Sequence, residues 1–256
     1  MTSLSLIDVG VAFGGNRVLD GVSIEFGPGF NGLVGPNGAG KTTAFNVICG
    51  YVTPQQGEVA LDGVRVTSRL PRRMSKQGVG RTFQTPRLVL EMSVLENVML
   101  GRHNHIGSSH VAEVLGLRRA VREERETRDR AAALLEVFGL LPRAGEPAHA
   151  VPLGSQKLVE ICRALASQPS VLLLDEPAAG LGVDDVAVMV DALRRVRASQ
   201  PLCVVMIEHD LHLVKTLCPF VAVLHFGRII ATGTADEATR NPLVVEAYLG
   251  KGVRSA

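Results

Sequence analysis

The chain has 256 residues, 46% of them hydrophobic, and 27 Lys and Arg against 25 Asp and Glu leave a net charge of +2. That length supports one large α/β domain or two small ones around a buried core, and so mild a charge speaks against the basic footprint of a nucleic-acid binder. Four cysteines without C-x-x-C spacing suggest neither zinc site nor disulfide framework; with no apolar run of ~18 residues and no basic leader before an apolar stretch, the chain is expected neither to cross a membrane nor to be secreted.

Leu4 to Val9 and Val22 to Phe26 read as short strands. Phe30 to Val34 is a third, and it runs into Gly35-Pro36-Asn37-Gly38-Ala39-Gly40-Lys41-Thr42, which fits G-x-x-x-x-G-K-[ST] and is followed by the helix-competent Thr42 to Cys49. Strand, glycine loop and helix in that order predict a nucleotide phosphate site. Glycines let successive N–H groups curl around an anion, the helix N-terminus adds partial positive charge, and Lys41 can reach the β- and γ-phosphates. Thr42 is the expected magnesium ligand. Glu58 to Val66 is a strand broken by Asp62-Gly63, a two-residue hairpin signal, which suggests a small antiparallel sheet beside the loop.

From roughly 88 to 166 the pattern is helical, with Ser93-Val94-Leu95-Glu96 fitting a capping box. Arg118 to Arg130 interleaves both signs of charge at i,i+3 and i,i+4, which favours an exposed helix over a basic patch. The stretch reads as an inserted helical subdomain. Beyond it, the apolar runs Val171 to Leu174, Leu202 to Ile207 and Phe220 to Phe226 alternate with helical segments, the pattern of a buried and largely parallel sheet. The fold class is α/β. The run at Val171 ends in Asp175-Glu176, placing two carboxylates at the C-terminal edge of a strand, where α/β ligands bind. There Asp175 can hold the magnesium shell and Glu176 can polarise an attacking water.

Phosphate loop and acid pair together resemble the ATPase subunit of an ATP-binding cassette transporter, and the resemblance covers nearly the whole chain. It implies a single ATPase domain over 1–256, with a RecA-like P-loop core, an N-terminal antiparallel β subdomain and the helical subdomain inserted. ATP and Mg2+ are the implied ligands, with Thr43 continuing the phosphate loop. In Gly80-Arg81-Thr82-Phe83-Gln84, Gln84 looks like the family's glutamine on magnesium and the attacking water. His209, in Ile207-Glu208-His209-Asp210, looks like the switch histidine on the γ-phosphate. Phe13 falls where the family stacks an aromatic ring on adenine, with a core Phe on an early strand as the alternative.

The family's L-S-G-G-Q signature aligns with Val151-Pro152-Leu153-Gly154-Ser155-Gln156, which keeps one glycine, Gly154, and has Pro152 in the serine position. In the family that segment reaches across a head-to-tail dimer to the partner's γ-phosphate. Proline suits a first helical turn but removes a hydroxyl donor, for which Ser155 is the substitute at hand. Losing such a contact typically costs ~2.7 to 4 kcal/mol, or roughly 10² to 10³ in rate. Gly182 stands where the family usually has an Asp or Asn that couples the two sites. These departures favour a heterodimer with a second ATPase chain over a homodimer.

Within the family the closest resemblance is to the ATPases of branched-chain amino acid importers, through Gly80 to Gln84, Asn37 to Thr43, Glu176 to Leu181 and the ending Ala247-Tyr248-Leu249-Gly250. It implies transmembrane permease subunits as direct partners, an external solute-binding protein as an indirect one, no nucleic acid, and a peripheral place on the cytoplasmic face of the cell membrane. Two alternatives stay open at this point. One is a nucleotide-gated subunit with a degenerate signature beside an active second chain; the other is the ATPase of a lipid or lipopolysaccharide exporter.

Overall fold

Two-residue periodicity near the N-terminus and fully apolar strands further on produce two different sheets. The computed structural model describes residues 2–67, 70–102 and 118–249. Its residues fall into two compact units, one of Met1–Arg81, Ser170–Pro177 and Pro201–Ala256, the other of Thr82–Pro169 and Ala178–Gln200.

The first unit holds both sheets. Strands β1 (Leu4–Phe13), β2 (Asn16–Phe26), β4 (Gln56–Leu61) and β5 (Val64–Arg65) form an antiparallel sheet in the order β2-β1-β4-β5. The Asp62-Gly63 turn joins the last two, with φ of 48° and 76°, the left-handed pair that a tight hairpin requires. The second sheet has the order β10-β9-β3-β8-β7-β6, from β3 (Gly29–Val34), β6 (Val79–Arg81), β7 (Val171–Asp175), β8 (Cys203–Ile207), β9 (Phe220–His225) and β10 (Arg228–Gly233). All its neighbours are parallel except the β9–β10 hairpin. Every residue of β7 and β8 is buried, as strands covered on both faces demand. Helices α1 (Lys41–Ile48), α2 (Pro71–Lys76), α7 (Leu211–Leu217), α8 (Ala235–Arg240) and α9 (Pro242–Leu249) complete this unit. Phe26, Phe45, Ile48, Leu173 and Val205 lie in its core.

The second unit is helical, with α3 (Val94–Leu100), α4 (Arg118–Val137), α5 (Leu153–Ala166) and α6 (Val183–Ser199). The expected capping box is made at α3: Glu96 N–H donates to Ser93 Oγ at 3.2 Å, and Ser93 N–H to the Glu96 carboxylate at 2.8 Å. Helix α4 exposes Arg122, Glu124, Arg125, Glu126 and Arg128, with Arg122 meeting Glu126 at 3.0 Å, while Thr127, Ala131 and Leu135 recur every four residues on the buried face. On α5 the buried stripe is Leu158, Ile161, Cys162 and Leu165. Residues 138 to 152, expected to be helical throughout, instead hold two 3-10 turns, Leu141–Arg143 and Ala148–Ala150, because Pro142, Pro147 and Pro152 interrupt the α-helical ladder. Gly250, in the C-terminal resemblance, lies outside the described residues.

Candidate functional site

Parallel strands bring their C-terminal ends to one edge of a sheet, and here β3, β8 and β7 are successive neighbours. From β3 the chain enters the loop Gly35 to Gly40 and then α1. Two glycines are required by space. A Cβ on Gly35, at φ +153°, would lie 2.0 Å from the Leu224 carbonyl oxygen; one on Gly40, at φ +107°, would lie 2.8 Å from that of Val18. Pro36 is half-buried, Asn37 and Gly38 are exposed, and Ala39 is buried. Gly40 caps α1 without a side-chain hydrogen bond and the first turn has no acidic residue, so no side chain of that turn satisfies its N–H groups.

Lys41 folds back over the loop. Its Nζ donates to the carbonyls of Gly35 at 2.7 Å and Pro36 at 2.9 Å. Burial pushes its ammonium below the ordinary lysine value, and the nearby carboxylates of Glu176 and Asp175 pull it back up. Thr42 is exposed and Thr43 half-buried at the start of the same helix.

Asp175 ends β7, 6% exposed, with its Oδ2 3.0 Å from Arg81 Nη2 at the end of β6. Arg81 also donates to Asn46 Oδ1 at 2.6 Å and lies 5.7 Å from the centre of the Phe45 ring, both on α1. Glu176 follows at φ +49°, a left-handed conformation costly for a residue with a Cβ, while its N–H donates to the Ile207 carbonyl at 2.9 Å. That hydrogen bond to the end of β8 brings in His209, two residues on, whose Nε2 is 3.0 Å from Glu176 Oε1. Loop, lysine, both carboxylates and histidine thus meet at one edge of this unit. The pairing of Asp175 with Arg81 and the strain at Glu176 were missed from the sequence, where nothing local signals either.

Phe13 lies at the end of β1 and is 52% exposed, so it is no core residue of that strand. The strand runs four residues past Val9, carrying the ring out to the Gly14-Gly15 turn.

The remaining predicted residues belong to the second unit. Gln84 is exposed on the irregular segment after Thr82. Pro152 caps α5 without a side-chain hydrogen bond, and Gly154 and Ser155 lie half-buried in the first turn. A Cβ on Gly154 would come within 2.7 Å of Asp185 Oδ2, so a larger residue there requires that carboxylate to turn aside. Gly182 caps α6.

Among the described residues no group of three or more His, Cys, Asp or Glu is placed to hold a metal ion. The oxygens of Thr42 and Asp175 are instead the donors suited to a magnesium ion that arrives with phosphate and water ligands.

A family model described as "ABC transporter" matches residues 19–179, and one described as "Branched-chain amino acid ATP-binding cassette transporter" matches 228–254. The chain is 35% identical over 240 residues to the high-affinity branched-chain amino acid transport ATP-binding protein BraF of Pseudomonas aeruginosa, covering 93% of this chain and 94% of that one. It is 35% identical over 249 residues to LivG of Escherichia coli, which bears the same description, covering 97% and 98%. Among solved structures, a nucleotide-free ATP-binding cassette from an ABC transporter superposes with a TM-score of 0.82 at 32% identity, covering 98% of this chain and all of that one. The ADP conformation of MJ1267, an ATP-binding cassette of an ABC transporter, gives 0.83 at 31% with the same coverage.

Proposed function

The chain belongs to the ABC transporter family as an ATP-binding subunit, and we propose that it hydrolyses ATP to energise the import of branched-chain amino acids. The observation that carries the chemistry is the meeting of Lys41, Asp175, Glu176 and His209 at the edge of the parallel sheet. The names of its relatives and the second family model favour branched-chain amino acid transport over a lipid or lipopolysaccharide exporter.

In this reading Gly35, Pro36, Asn37, Gly38, Ala39 and Gly40 present backbone N–H groups to the phosphates, Lys41 leaves its loop carbonyls for the β- and γ-oxygens, and Phe13 stacks on adenine. Thr42 and Asp175 would hold a magnesium ion, which would supply neutralisation of the phosphate charge. Glu176 orients and polarises the attacking water, and His209, hydrogen-bonded to it, steadies that carboxylate and faces the γ-phosphate. Gln84 takes the family's place beside the magnesium and the water. Gly154 and Ser155 present the α5 N-terminus to the ATP of a partner ATPase.

Family ATPases pair with permease subunits and a second ATPase. Here Pro152 in place of the signature serine and the glycine at 182 favour a different second chain over a self-pair, and an external solute-binding protein acts indirectly through the permease. Among the described residues no helix is long and apolar enough to cross a membrane, consistent with a peripheral place on the cytoplasmic face.

The test is magnesium-dependent ATP hydrolysis by the purified chain over a concentration series, with Glu176→Gln as control. Glu176→Gln should retain ATP binding and lose turnover by roughly 10² to 10⁴, the usual worth of a general base. Equal turnover in both proteins refutes the role of Glu176. Tight ATP binding without turnover in the parent chain identifies the second ATPase as obligatory.

A further inference from the structure

We propose that Glu160 and Arg163 on α5 are positioning residues for Gln84, so that the signature helix itself holds the glutamine loop in place; this rests on the proposed role of Gln84 in ATP hydrolysis. The segment from Thr82 to Leu88 is neither helix nor strand, so its backbone groups need partners outside a ladder. Pro86 offers no N–H. Two of the remaining donors flank Gln84, and both go to one buried carboxylate: Phe83 N–H to Glu160 Oε2 at 3.2 Å and Arg87 N–H to Glu160 Oε1 at 3.0 Å. Glu160 is 2% exposed. One turn along the same helix, Arg163 donates its Nη1 to the Arg87 carbonyl and holds Glu160 Oε1 at 3.2 Å through Nη2. The Arg87 guanidinium lies over the Phe83 ring, 4.1 Å from its centre, closing the loop on itself.

A carboxylate buried this deeply is unfavourable unless hydrogen-bonded and paired. Burial does push the Glu160 carboxyl above the ordinary glutamate value, while the Arg87 and Phe83 N–H groups and the Arg163 charge act the other way. The backbone on either side of Gln84 is therefore held by two side chains of α5, whose first turn carries the signature residues Gly154 and Ser155. A displacement of that helix is passed to Gln84 through these hydrogen bonds.

The experiment uses the full chain and a double-mutant cycle. Glu160→Gln keeps the shape but leaves one acceptor oxygen for two N–H donors, so amide exchange in the peptide spanning 83–87 should rise about tenfold or more. Turnover should fall about tenfold with the KM for ATP within about twofold, because the substitution displaces a residue acting on the water rather than the phosphate cradle. In a Gln84→Ala background Glu160→Gln should cost nothing further, since its effect runs through Gln84. An equal loss in both backgrounds, or unchanged exchange at 83–87, overturns the proposal. If Glu160→Gln does not fold, Arg163→Gln carries the same cycle with the same expected non-additivity, and additive losses overturn it. Should the chain show no ATPase activity even in a complex with both the permease and the second ATPase, while exchange still rises in the variant, the proposed function falls and the grip on the loop stands.

Discussion

Replacing Arg81 by Met tests whether the acid at the end of β7 is stabilised by the guanidinium beside it. The two side chains are each 7% exposed and 3.0 Å apart, and Arg81 also bonds Asn46 at 2.6 Å. Methionine keeps much of the unbranched stem while removing the charge and every donor. Breaking one side of such a buried pair costs about 3 to 5 kcal/mol, because the surviving charge stays desolvated. For 256 residues, at roughly 2.1 cal/mol/K per residue, the unfolding entropy is about 0.5 kcal/mol/K, so Tm should fall by about 6 to 9 °C. The chain has no tryptophan, so the melt is followed by far-ultraviolet circular dichroism. The double variant Arg81→Met/Asp175→Leu removes both charges and should recover at least half of the loss. A drop below about 2 °C in the single variant, or a double variant less stable than the single, would refute the reasoning, showing either that water reaches the pair or that Asp175 is held by other groups.

Two further outcomes follow from groups away from the proposed chemistry. Burial pushes the thiol of Cys49 up to about 11 and those of Cys203 and Cys218 to about 12, and raises Cys162 further still. At pH 8 a disulfide reagent should therefore find essentially no thiol in the native chain and four after denaturation; rapid reaction of any one would show that its surroundings open. Asp20, beside Arg17 and Arg228, and Asp236, beside Lys215, lie below the ordinary 3.8, and Glu96 and Glu237 are drawn below 4.5 by the hydroxyl and N–H of their capping boxes. The unfolded chain binds more protons than the native one as pH falls through these values, so the stability they contribute is present above about pH 4.5 and is lost below it. Glu160, displaced upward, acts oppositely between 4.5 and its raised value. The urea midpoint should fall as pH drops from about 5 to 3; a midpoint that rises would contradict the depressed carboxylates.

Much of the fold and of the glycine loop before α1 was legible because it depends on neighbours in sequence. Gly35 to Thr42 has one way to place its glycines between a buried strand and a helix, Asp62-Gly63 supplies two left-handed residues in succession, and Ser93 and Glu96 satisfy each other's backbone across one turn. The Thr234-Ala235-Asp236-Glu237 box carries the same local signal and starts α8, although it was not singled out. Phe13 was ambiguous for a different reason. Its side chain fits either a core strand or an exposed stacking surface, and only the length of β1 exposes it.

By itself the sequence determined the phosphate loop, the acid pair at a strand end, the hairpin and the helix caps, since each is a contest between conformations of a few adjacent residues decided by sterics and nearby hydrogen bonds. Only the tertiary structure decided that β3 lies between β8 and β9, that Glu176 is held at φ +49° within 3.0 Å of His209, that Arg81 pairs with Asp175 and that Glu160 holds the backbone on either side of Gln84. These partners lie 33 to 94 positions apart, and a buried charge selects whichever opposite charge or N–H group the packed chain brings to it, a choice that no local pattern records.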